Sequence, residues 1–223
     1  MRLIPIVIVL AVMAAPALTQ ERRAAFTLGG QGYAIDAGPG FCRAEAEELE
    51  RWALWPRMMA GTERRFEPRA VFLDCVALNA IRAGAQPENF AMRLAGTLLG
   101  GGEPLPARQS ARVQFDMFRG MFRMMQDRPG SVTGVPVEEI VQGAAEERGL
   151  IVECVHPRAS AGSVGLDICL AEPDGSDPMQ GGLAVRPVGE RFLAVAALGR
   201  PGMADGPGFD EAETMLEGLS PLE

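Results

Sequence analysis

The sequence predicts an α+β domain with a largely antiparallel sheet, and three observations carry that reading. Four apolar, β-type runs follow one another: Leu150–Val155, Val164–Ala171, Gly182–Arg186 and Arg191–Leu198. The last two are separated by little more than Gly189-Glu190, which fits a type II′ hairpin turn because Gly supplies the positive φ. A helical segment, Asp210–Leu219, then closes the chain, with Ala212, Met215, Leu216 and Leu219 on one stripe and Asp210 and Glu213 at capping-box spacing. Strands grouped together and then a helix mark α+β, not the alternation of a parallel sheet.

The earlier elements are read in chain order. Phe26–Ala37 has the composition of a strand or bent hairpin broken at Gly29-Gly30, and Gly38-Pro39-Gly40 ends it. Arg43–Trp55 reads as a helix: Leu49, Trp52 and Trp55 recur at near-helical spacing among acidic residues, and Pro56 is the expected stop. Ala70–Leu78 is short, apolar and partly branched, hence a buried strand. Phe90–Leu99 fits helix and strand equally. Gly100–Pro106 is a loop. Gln109–Gln126 is the clearest long helix, and Val137–Arg148 is another, with Pro136 suited to its first turn and Gly149 as its stop. These elements form one domain over residues 26–220.

The N-terminus reads as an address. Met1-Arg2, the apolar run Leu3–Ala15 and the small-x-small sequence Ala15-Pro16-Ala17 form a secretory signal peptide over residues 1–17, followed by a lead over 18–25. The run is shorter than the roughly 20 residues of a spanning helix, so no membrane span is expected after cleavage. The chain is therefore expected in the periplasm or outside the cell, where an even cysteine count favours disulfides. Four cysteines, Cys42, Cys75, Cys154 and Cys169, allow three pairings, and no C-x-x-C spacing points to zinc. Cys154 and Cys169 lie on neighbouring strand runs across a turn-rich stretch, which pairs them and leaves Cys42 and Cys75 to each other. Bridges closing such loops are worth about 3 and 4 kcal/mol.

Composition excludes several chemistries. The net charge is −8, every basic residue is Arg, and there is one His. Nucleic acid is not an expected partner, because counterion release needs a basic face. Without Lys there is no Schiff base and no phosphate-binding loop of the G-x-x-x-x-G-K type. One His rules out a two-His zinc site, and without G-x-S-x-G the pair of His156 with Ser160 or Ser163 reads as turn chemistry. No catalytic residue, metal or cofactor is expected. Glu172, Asp174 and Asp177 cluster in one turn, and Asp205, Asp210 and Glu211 in another; Asp-Gly and Pro-Asp are ordinary turn pairs. The alternative function is a carboxylate-dependent envelope hydrolase using Asp174 and Asp177.

One helix holds the remaining signal. Over Arg112–Gln126, Phe115, Phe118, Phe122 and Met125 centre an apolar face that Met117, Met121 and Met124 widen, while Arg112, Asp116, Arg119 and Arg123 lie opposite. Packing on the sheet is the favoured reading. The Met flank also suits an adaptable partner surface or, through its thioethers, Cu(I). Arg112, Asp116, Arg119 and Arg123 are the expected contact for an acidic envelope protein. Oligomeric state is not readable.

Ala37-Gly38-Pro39-Gly40-Phe41-Cys42, with Val71-Phe72-Leu73-Asp74-Cys75 and Arg82 further on, resembles a group of exported bacterial proteins with a P-x-G-[FY]-C turn and a second Cys ending a strand. The closing strand, loop and helix are similar to the end of PsbP-like sandwich domains. The resemblance implies an antiparallel sheet covered by helices, a Cys42–Cys75 bridge, and an accessory or binding role without catalysis.

Overall fold

A computed structural model describes residues 22–60, 65–100, 103–104, 109–127, 142, 145–146, 149–175, 178–189, 191–200 and 208–222. The signal peptide 1–17, the lead through residue 21, and Asp177 and Asp205 lie outside them. So does Val137–Arg148, apart from Gln142, Ala145 and Glu146.

The chain opens with a hairpin of β1 (Arg23–Leu28) and β2 (Gln31–Asp36), turned by Gly29 and Gly30 with φ of 60° and 86°. Two successive positive φ values are the requirement of a tight hairpin turn that matches strand twist. Next come β3 (Phe41–Arg43), helices α1 (Ala46–Arg51) and α2 (Leu54–Met59), β4 (Phe66–Asp74), α3 (Cys75–Arg82), β5 (Ala91–Gly100) and the short β6 (Glu103–Pro104). Helix α4 (Gln109–Asp127) precedes four strands, β7 (Ile151–Ala159), β8 (Val164–Ala171), β9 (Met179–Val188) and β10 (Arg191–Gly199). Helix α5 (Phe209–Glu217) and β11 (Ser220–Pro221) end the described chain.

Among the described residues, all strand pairs are antiparallel. The main sheet runs β3-β4-β5-β10-β9-β8-β7 with β6 on β5, and β1-β2-β11 form a second, smaller sheet. Strand alternation gives the main sheet two covered faces. On one, Phe72, Ala95, Ala184, Leu193 and Val195 pack beneath Ile35 of the small sheet and Phe209, Met215 and Leu216 of α5. Gly182 is required here: a Cβ on it would lie 1.9 Å from the Phe209 nitrogen, so only Gly admits the start of α5. On the other face, α1 and α3 cover β4 and β5 through Leu49, Trp52, Leu78 and Ile81, and α4 covers the far end through Phe115 against Val164 and Phe192.

Four expectations need correction. The helix expected over Arg43–Trp55 is two short helices, because Trp52 turns into the core, 2% exposed, with its ring 4.8 Å from Phe90. Pro56 does not stop it but sits in the first turn of α2, where an N–H has no helical partner. The strand expected over Ala70–Leu78 ends at Asp74, whose side chain accepts the Ala77 N–H at 2.8 Å and starts α3. Helix α5 is capped not at Asp210 but at Gly208, whose N–H donates to Glu211 at 2.8 Å, and Asp210 instead pairs with Arg158 at 2.7 Å. Phe90–Leu99 resolves as strand.

Both disulfides are present. Cys42–Cys75 joins β3 to the start of α3, with Cα atoms 5.0 Å apart. Cys154 and Cys169 face each other directly across β7 and β8, with Cα atoms 4.8 Å apart.

Candidate functional site

Between the α1–α3 cover and α4, the second face of the main sheet holds a cavity of about 340 Å³. Its origin is a small residue in an apolar row. Leu94, Ala196 and Leu183 stand opposite one another across β5, β10 and β9, and the methyl of Ala196 leaves the centre of that row low. The next row repeats the pattern as Met92, Leu198, Gly181 and Ile168. Met58 and Met59 of α2, with Phe66 and Leu150, form the described walls. Such a volume lies at the lower end of the range for small-molecule sites, roughly 300–1,000 Å³.

The described lining is almost wholly apolar. Arg65 and Gln180 are the polar residues among the described lining, and no carboxylate, His, Ser or Cys belongs to it. An adjoining hollow of about 40 Å³ shares Met58, Leu150 and Met179, and adds Arg57, Glu172 and Arg200. There Arg57 and Glu172 form an ion pair at 3.0 Å. The arrangement offers an apolar ligand a dry surface with a few orienting polar groups at its edges.

Apart from Glu172 in the adjoining hollow, the described residues singled out from sequence lie elsewhere. On α4, Arg119 pairs with Asp116 at 2.8 Å and donates to the Ala161 carbonyl at 2.8 Å. Arg123 is exposed; the side chains of Arg112 and Phe118 lie outside the described set. The apolar face of α4 is narrower than its sequence implies. Phe115 and Met125 are buried and Phe122 is half-buried, but Met117 and Met124 are 63% and 57% exposed. Asp174 sits in the exposed turn after β8. His156 is exposed opposite Asp167, and the Ser160 hydroxyl donates to Glu213 while accepting the N–H groups of Gly162 and Ser163. Among the described residues, no cluster of three or more His, Cys, Asp or Glu is placed to hold a metal ion.

Among the described residues, two side chains have shifted pKa values, both away from the cavity lining. Burial acts against the charged Glu48, but hydrogen bonds from Arg82 and the Glu45 N–H, with the charges of Arg82 and Arg51, outweigh it and lower its pKa. Burial lowers that of Arg186, with Glu217 and Glu213 opposing the shift.

Sequence reasoning missed the cavity because its floor depends on the non-local pairing of β10 with β5, which sets Leu94 beside Ala196 and the β9–β10 hairpin. Composition does not single out Ala196, since β10 also carries Ala194 and Ala197. Compared with protein-family models and with curated proteins, the chain matches none.

Proposed function

We propose that this protein is an exported, disulfide-stapled binding module of the cell envelope that takes up an apolar ligand and does not catalyse. The observation that carries the reading is the cavity: about 340 Å³ of apolar space with no acid, base or nucleophile among its described lining residues. Export is supported by the signal-like N-terminus and by two disulfides, which persist in oxidising compartments. Among the described residues, no helix is long and apolar enough to cross a membrane. The PsbP-like sandwich is the fold reading that accompanies this proposal, supported by an antiparallel sheet covered by helices and by the Cys42–Cys75 bridge.

The hydrolase alternative draws no support from the described lining, which does not include Asp174; Asp177 lies outside the described residues. The test is titration of the oxidised protein with N-phenyl-1-naphthylamine, a neutral dye that fluoresces in apolar surroundings. Saturable enhancement with one site per chain is expected. Enhancement that rises linearly, as with non-specific surface adsorption, contradicts the proposal.

A further inference from the structure

The charge around the cavity runs opposite to the charge of the chain. Over the whole sequence acids exceed bases, for a net charge of −8. Among the described residues, the charged ones lining the cavity and its adjoining hollow are Arg57, Arg65 and Arg200, with Glu172 as the acid. Of these, Arg65 alone lines the main cavity. It is exposed, its guanidinium makes no ion pair with a described residue, and its carbonyl is fixed by the Leu99 N–H at 2.8 Å. Phe66, the next residue, pairs with Leu98 and packs into the apolar wall, so Arg65 stands at the boundary between cavity and water.

Floor geometry gives the ligand its shape. Along β5 the lining extends from Met92 to Leu98, six steps of about 3.3 Å, or about 20 Å. An apolar region of that length, ending at a cation with no ion-pair partner among the described residues, matches a chain with a charged end. The modest volume suits one chain, not a pair.

From these observations, and resting on the binding reading above, we infer that the ligand is a single-chain amphiphile with an anionic head. Its tail lies on the Leu94–Ala196–Leu183 floor and its head meets Arg65. A carboxylate and a phosphate satisfy this chemistry equally, since the Arg guanidinium donates two parallel N–H bonds to either.

The test displaces N-phenyl-1-naphthylamine from the oxidised protein with molecules that share a twelve-carbon tail: dodecanoate, a lysophosphatidate, dodecanol and dodecyltrimethylammonium. Both anions are expected to compete about fivefold more tightly than the alcohol, the scale of one exposed ion pair, and the cation more weakly still. The tighter anion identifies the source as a free fatty acid or a lipid. Arg65→Ala should abolish the anion preference, and Arg200→Ala should leave the preference intact. Equal competition by all four molecules overturns the anionic head while leaving the apolar site standing. Loss of the preference in Arg200→Ala and not in Arg65→Ala overturns the placement of the head. Failure of the dye itself to bind removes the underlying reading.

Discussion

Asp74 accepts the backbone N–H of Ala91 at 2.9 Å through one carboxylate oxygen while the other accepts the Ala77 N–H at 2.8 Å. One side chain therefore caps α3 and holds the first residue of β5, the strand that carries Met92 and Leu94 into the cavity floor. The position also adjoins Cys75, so the cap and the Cys42–Cys75 bridge reinforce the same corner.

Asp74→Ala removes a cap and leaves a second N–H without its partner. The expected loss is about 2–3 kcal/mol, measured by urea unfolding at neutral pH. Asp74→Asn keeps an acceptor for one N–H and should lose less than the Ala variant. Equal stability of parent and Ala variant would contradict the double role.

The same corner shows what was legible in the sequence. Val71-Phe72-Leu73 reads correctly as buried strand, and the apolar run continues through Val76, Ala77 and Leu78 without any change in composition. What ends the strand is the Asp74 side chain finding two backbone donors, one of them 17 residues away. Trp52 gives a parallel lesson. Its spacing from Leu49 is helical, yet the ring goes into the core against Phe90, and the helix breaks to let it. The Cys154–Cys169 bridge was legible because strand adjacency constrains sulfur positions strongly, and Cys42–Cys75 followed by elimination. The candidate site was not, because Leu94, Ala196 and Leu183 become neighbours only once three strands pair.

Helix α4 separates two kinds of apolar residue. Phe115, 6% exposed and packed with Val164 and Phe192, should cost about 3–5 kcal/mol as Phe115→Ala. Phe122 is half-buried and its truncation should cost less. Met117→Ala and Met124→Ala should stay within about 0.5 kcal/mol, because both side chains are mostly in water. Thermal unfolding of the four variants checks the order.

Non-reducing mass spectrometry should show the chain four hydrogens lighter than its reduced form, with Cys42–Cys75 and Cys154–Cys169 peptides linked. Replacing either pair by Ser should cost about 3–4 kcal/mol, with the larger loss at the 33-residue separation of Cys42 and Cys75.

Glu48 makes acid sensitivity local. Its carboxylate accepts the Arg82 guanidinium at 2.6 Å and its pKa lies below the ordinary 4.5. A depressed folded-state pKa contributes stability that is present above the unfolded value and lost as pH falls through the folded one. Glu48→Gln should therefore be less stable than the parent by about 1 kcal/mol or less at pH 7. That gap should close as the pH drops below 4.5, and a gap that widened in acid would contradict the assignment.

The cavity is the centre of the functional account, and Ala196 is the position from which it can be filled. Ala196→Trp places a large ring between Leu94 and Leu183 on the cavity side of the sheet, where space already exists. The most direct measurement is N-phenyl-1-naphthylamine titration of this variant beside the parent, with thermal unfolding of both. The account predicts saturable one-site binding in the parent and at least about a tenfold loss of affinity in a variant that unfolds no earlier. Unchanged dye binding in a folded Ala196→Trp protein would contradict it.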